Sequence, residues 1–108
     1  MKALLHLRKG VTPAGLGATL ARDIRAGRHK AWELVKTRPL TIRHKGRFKS
    51  VVTLKPVPKR AKTMAGAPQI VASMGGKDAG FVLRYFVGLV AMKLGAQVEG
   101  LYVPLDEA

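Results

Sequence analysis

Hydrophobic residues recur along this chain at two different periods, every second position in some stretches and every third or fourth in others. Ala3–Arg8 alternates, with Leu5 and Leu7 on one side and His6 and Arg8 on the other. It predicts a short strand, which Gly10 ends. At Thr12 the period changes. Thr12 is a helix N-cap and Pro13 takes the first helical position, where its missing N–H costs nothing. Leu16, Leu20 and Ile24 then recur four residues apart and define a buried stripe. A helical pattern resumes over His29–Lys36 with Trp32 and Val35 apolar, either as a continuation kinked at Gly27 or as a separate helix. Pro39 ends it, because the residue before a proline is pushed out of the α region.

Leu40 to Lys55 reads as a β-hairpin. A three-residue loop His44-Lys45-Gly46 pairs Ile42 with Phe48 and Arg43 with Arg47, and this register separates the faces. Leu40, Ile42, Phe48, Ser50, Val52 and Leu54 then look inward. Thr41, Arg43, Arg47, Lys49, Val51, Thr53 and Lys55 look outward. A two-residue turn would mix the two sets.

Residues 56–68 carry Pro56, Pro58 and Pro68 with the cluster Lys59-Arg60-Ala61-Lys62, and predict a mobile basic loop. Gln69–Met74 reads as a strand ended by Gly75–Gly76, and Asp78 as the cap of a helix over Ala79–Leu94. The apolar face of that helix takes Phe81, Val82, Tyr85, Phe86, Leu89, Val90 and Met92. Gly80, Val87, Gly88, Ala91 and Gly95 make a small-residue stripe opposite. Gln97–Leu105 closes the pattern as a strand with Pro104 at an edge. The order of elements predicts an α+β fold in one small domain over residues 1–108. A mostly antiparallel sheet, with the basic hairpin central, packs two to three helices on one face.

Charge changes the picture. The sequence holds 20 Lys+Arg against 6 Asp+Glu, a formal charge of +14 in 108 residues. Seventeen of the basic residues, and only Asp23 and Glu33 of the acidic ones, precede Thr63. So one-signed a surface repels itself and calls for a polyanionic partner. The chain has no cysteine, which excludes a disulfide scaffold, a CxxC zinc site and thiol catalysis. Ala79–Val98 has the length of a membrane span. It contains Arg84 and Lys93, each costing about 2.5–3.5 kcal/mol at a bilayer centre, and they fall on opposite sides of a helix. No membrane partner is expected. Met1–Leu7 is too short for a signal peptide's apolar region, and a cytoplasmic protein is the expectation.

Candidate chemistry is sparse. His6, His29 and His44 fall in separate elements without metal-ligand spacing, and no cofactor or metal is expected. Ser73–Asp78 precedes a helix as a phosphate-binding turn would, but it lacks the GxxxxGK[ST] pattern and Asp78 would repel an anion. If the chain cleaved RNA without metal, His44 among Arg43, Lys45 and Arg47 would be the acid/base to test. Catalysis is otherwise unsupported.

The expected function is non-catalytic binding of nucleic acid, duplex DNA or structured RNA, through phosphate contacts. The hairpin residues Arg43, Lys45, Arg47, Lys49 and Lys55 carry it, with Lys59, Arg60 and Lys62 on the loop. Arg22 and Arg25, with Arg28, Lys30 and Lys36 of the first helical region, extend the surface if they share its plane. Few aromatic residues fall on strands, which argues against a base-stacking platform. The alternative is a small interaction module, an inhibitor or assembly subunit that docks on an acidic protein or ribonucleoprotein. Its apolar last third would offer an interface to a partner or a second copy.

Overall fold

The computed structural model describes residues 1–46, 50–57 and 68–104. Six strands and two helices follow one another as β1 (Lys2–Leu7), α1 (Pro13–Arg25), β2 (Trp32–Thr37), β3 (Leu40–His44), β4 (Val51–Pro56), β5 (Ile70–Ser73), α2 (Ala79–Lys93) and β6 (Val98–Tyr102). The strands form one antiparallel sheet in the order β2-β3-β4-β5-β1-β6. The fold is α+β, with two helices.

Of the residues expected to be helical over 29–36, those from Trp32 onward instead belong to the edge strand β2, and residues 29–31 lie in the turn before it. Trp32 lies opposite His44, Glu33 opposite Arg43 and Leu34 opposite Ile42. Trp32 and Leu34 both suit a strand that alternates toward a core, and tertiary pairing decides what a weak helical pattern cannot. Pro39 joins β2 to β3 across a cis Arg38–Pro39 peptide rather than ending a helix. Gly27, at φ +76°, turns the chain out of α1 in the left-handed region that glycine adopts without steric cost. Asp23 braces this turn. Its Oδ1 accepts from Arg28 Nη1 at 2.8 Å and lies 3.5 Å from Arg22 Nε.

The β3–β4 hairpin forms as expected, in a different register. Ile42 lies opposite Val52 and Arg43 opposite Val51, so the connection runs from Lys45 through Ser50. Slipping the pairing by four residues keeps the paired residues of β3 and β4 on their expected faces, because the strand period is two. Leu40, Ile42, Val52 and Leu54 are buried, while Arg43 and Lys55 are exposed. The longer connection is tied at both ends. Lys45 N donates to Ala31 O at 2.7 Å, and Ser50 Oγ donates to Gly75 O at 2.5 Å. Pro56 ends β4 and Val57 N donates to Gln69 O at 2.8 Å, while residues 58–67 of the expected loop lie outside the described residues.

Both helices cover the same side of the sheet. Leu16, Leu20 and Ile24 of α1 pack inward, and a Cβ added at Gly17 would lie 3.7 Å from Leu40 Cδ2. On α2, Val82, Phe86, Leu89 and Val90 are buried, and Phe86 meets Trp32 edge-on at 6.4 Å between ring centroids. The interior between the layers takes Ala3, Leu5 and Leu7 from β1 and Ile70 and Ala72 from β5. Thr12 caps α1 as expected, its Oγ1 accepting from Gly15 N at 3.0 Å. Asp78 occupies the corresponding position on α2 but makes no side-chain cap bond. Arg8 supplies a different helix end, its Nε donating to Gly95 O at 2.8 Å just beyond α2, where a cation suits the dipole.

Three residues expected on the packed face of α2 stand outside it. Phe81, Tyr85 and Met92 are 58, 45 and 81% exposed. The helix is apolar nearly all round, so periodicity could not say which sector faces the sheet. Tyr85 reaches the sheet through His44, whose ring stacks on it at 4.4 Å.

His29 is the unusual interior group. It is buried, and neither Nδ1 nor Nε2 has a hydrogen-bond partner among the described residues. Asp23 Oδ2 stands 4.0 Å from Nε2, too far for a hydrogen bond. An unsatisfied buried polar group costs about 1–3 kcal/mol. His29→Leu, close in size and without those nitrogens, is therefore expected to hold or raise stability by about 1 kcal/mol in urea unfolding. A loss greater than that would show that the ring nitrogens hold the turn together.

Candidate nucleic-acid interface

With both helices on one side, the other side of the sheet carries no helical layer among the described residues. The strand registers fix which side chains stand on it, and they arrange in rows across the strands. One row runs Lys36, Thr41, Thr53, Ser73, Lys2 from β2 to β1. The next runs Lys55, Val71, Leu4, Tyr102 from β4 to β6. A shorter row holds Glu33, Arg43 and Val51. Lys2, Lys36, Lys55, Ser73 and Arg43 are exposed, and Thr53 is partly so. Thr41 is the buried member, its Oγ1 donating to Pro39 O at 3.0 Å. Lys2, Val51, Thr53 and Ser73 line a shallow depression of about 380 Å³ on this face.

The exposed polar side chains of the face are mainly lysine ammonium groups and hydroxyls. Lysine ammonium groups and hydroxyls are the side chains that donate to phosphate and sugar oxygens without reading sequence. Glu33 also stands on the face, but Arg43 takes it up, with Nε and Nη2 each 2.6 Å from Oε1. Lys36 and Lys55 have no ion-pair partner among the described residues.

The expected site residues part company here. Arg43 and Lys55 stand on the helix-free face as expected, with Lys45 just beyond the end of β3. Arg43 is not opposed by a second arginine. Its cross-strand neighbours are Glu33 and Val51, so the expected like-charge repulsion with Arg47 is absent from this pairing. Arg22 and Arg25 sit on the last turn of α1, in the opposite layer, and do not join the hairpin surface. Arg47, Lys49, Lys59, Arg60 and Lys62 lie outside the described residues.

Lys2, Thr53 and Ser73 were not expected at the site, and Lys36 was assigned to a helix. Lys2 precedes Leu4 and His6 at the strand period, and Lys36 follows Trp32 and Leu34 with one residue bulged out. The alternation at Lys2 was readable, but the bulge that turns Lys36 to the face opposite Trp32 and Leu34 was not. Nor was the strand order, which brings Lys2 and Lys36 into one row from opposite halves of the sheet.

Tyr102 is 58% exposed at the edge strand. His6 stands on the same face, opposite Gly100, where an added Cβ would meet nothing within 4 Å. Tyr102 is the one Phe, Tyr or Trp on this face among the described residues, so these residues provide no run of rings on which successive bases could stack. The turn before α2 has a structural task. Ser50 Oγ bonds Gly75 O, and at Gly76, with φ +88°, an added Cβ would come within 3.1 Å of Ser50 Oγ.

No group of three His, Cys, Asp or Glu side chains able to hold a metal is found among the described residues. Among them, no helix is long and apolar enough to cross a membrane. The chain matches no protein-family model, and neither a curated protein nor a solved structure matches it at a significant level.

Proposed function

We propose that this protein binds nucleic acid across the helix-free face of its sheet, through phosphate contacts and without catalysis. The observation that supports this most strongly is the row Lys36-Thr41-Thr53-Ser73-Lys2, which spans five strands with a lysine at each end. Lys55 stands in the neighbouring row. The flat face, about 4.8 Å per strand, presents these donors over a width of roughly 20 Å. That width matches a double-helical backbone better than a pocket for a mononucleotide. An excess charge of +14 steers such a partner toward the protein from a distance.

Backbone amide shifts followed by NMR during titration with a short DNA duplex and with an RNA hairpin test this reading. Changes should centre on Lys36, Thr53, Val71 and Ser73 and leave Leu16 and Leu20 of α1 unmoved. Changes confined to α1 or α2 would rule the sheet face out.

A protein-interaction module is the second reading, supported by the exposure of Phe81, Tyr85 and Met92 along α2. It predicts a concentration-dependent mass in sedimentation, or a stable heterocomplex whose affinity changes little with salt.

A further inference from the structure

A groove of about 830 Å³ runs along the side of α1, away from the helix-free face of the sheet. Its floor is apolar, built from Leu40 of β3, Leu54 of β4 and Ile70 of β5. Three cations line it from three different elements: Arg25 at the end of α1, Arg38 in the β2–β3 turn and Lys55 near the end of β4. No carboxylate and no aromatic ring is among the lining residues. None of the three cations has an ion-pair partner among the described residues. We propose that this groove is a docking site for an acidic amphipathic helix of a partner protein.

Charge and shape carry the argument. An apolar floor beneath three unpaired cations is complementary to a segment with an apolar stripe flanked by carboxylates. A nucleic-acid strand would leave the aliphatic floor unused, since no ring is present for a base to stack on. The floor strands β3, β4 and β5 are hydrogen-bonded on both sides within the sheet, so the floor itself offers its side chains rather than a strand edge to a partner.

The helical mode has a ready seat. Ala14, Gly17, Ala18, Ala21 and Arg25 recur at i, i+3, i+4, i+7 and i+11 along α1, adjoining the stripe of Leu16, Leu20 and Ile24 that faces the core. Small side chains at this spacing let a second helix approach within the usual 8–10 Å between axes. The 13 residues of α1 extend for about 20 Å, the length of a partner segment of three to four turns. This proposal is independent of the nucleic-acid reading. Lys55 borders both surfaces, so the variants below leave it in place.

The test uses a fluorescent, lactam-bridged helical peptide of about 14 residues. It carries leucine at i, i+3, i+4 and i+7 and glutamate on both flanks. A peptide of the same composition with the stripe scrambled is the control. Fluorescence anisotropy against the full chain is expected to show saturable binding, at least about tenfold weaker for the control. Ala18→Trp, a substitution at an exposed position that fills the groove, should weaken binding by about tenfold or more, as should Arg25→Glu with Arg38→Glu. Ala14→Trp serves the same purpose if Ala18→Trp lowers the melting temperature.

Equal binding of the scrambled peptide would overturn the proposal, because the affinity would then be general electrostatics. So would an unchanged affinity in both groove-filling variants. Displacement of the peptide by duplex DNA, with an equal loss of DNA affinity in Ala18→Trp, would also overturn it by assigning the groove to nucleic acid. Peptide binding by a protein with no affinity for nucleic acid would support the groove while contradicting the sheet-face reading.

Discussion

Phe86→Ala is expected to remove about 3–5 kcal/mol of folding stability, the range for deleting a fully buried aromatic ring. Phe86 has no exposed surface and is the largest of the fully buried side chains. It stands where α2 meets the sheet, edge-on to Trp32, which in turn meets His44 edge-on at 5.2 Å. Truncation removes the transfer free energy of the ring and leaves a cavity that Trp32 and the α2 backbone cannot close without moving. A domain of this size has roughly 5–15 kcal/mol of stability in total. The variant should therefore unfold at much lower urea with an unchanged slope. A loss under about 1 kcal/mol would mean that the interior collapses around the missing ring and that α2 is not anchored there.

The second large effect concerns binding. Lys2→Ala combined with Lys36→Ala removes the lysines at the two ends of the row across the sheet. If each contacts one phosphate, the slope of log affinity against log salt falls by about 0.9 per residue on duplex DNA. At 0.1 M salt that amounts to a loss on the order of 10–100-fold. Both side chains are exposed, so stability should stay within about 0.5 kcal/mol of the parent. Arg43→Ala is the useful contrast. Its guanidinium is already held by Glu33, so removing it leaves a carboxylate on the face, and the resulting loss includes repulsion of phosphate by Glu33.

Much of the local structure was legible in the residues. Thr12-Pro13 marks the start of α1, and the spacing of Leu16, Leu20 and Ile24 marks its buried side, both from local chemistry. The faces of the β3–β4 hairpin were readable for a similar reason. Strand alternation is robust to a slip of any even number of residues, and the register is four residues from the expected one. The register itself depends on tertiary ties. The bonds from Ser50 to Gly75 and from Lys45 to Ala31 lengthen the connection, and both partners are remote in sequence or in another element.

Where the pattern was ambiguous, pairing or packing decided. Trp32 and Val35 suit a helix as written, yet β3 offers hydrogen bonds to residues 32–37 and draws them into an edge strand. Phe81 and Tyr85 look like core in a helix apolar nearly all round, but only one sector of it meets the sheet. The candidate site was the least legible part. It depends on strand order, a long-range property, and the sequence left open whether the basic helix and the basic hairpin share one surface. The structure puts these in opposite layers and sends Arg25 to a separate groove.

The most direct test of the sheet-face account is affinity for duplex DNA and structured RNA across a salt series from roughly 50 to 200 mM, with the parent and the Lys2/Lys36 double variant side by side. The account predicts a steep linear fall of log affinity with log salt for the parent, and a slope shallower by about 1.8 for the double variant on duplex DNA. Absence of binding at 50 mM salt, or identical slopes for the two proteins, would contradict it.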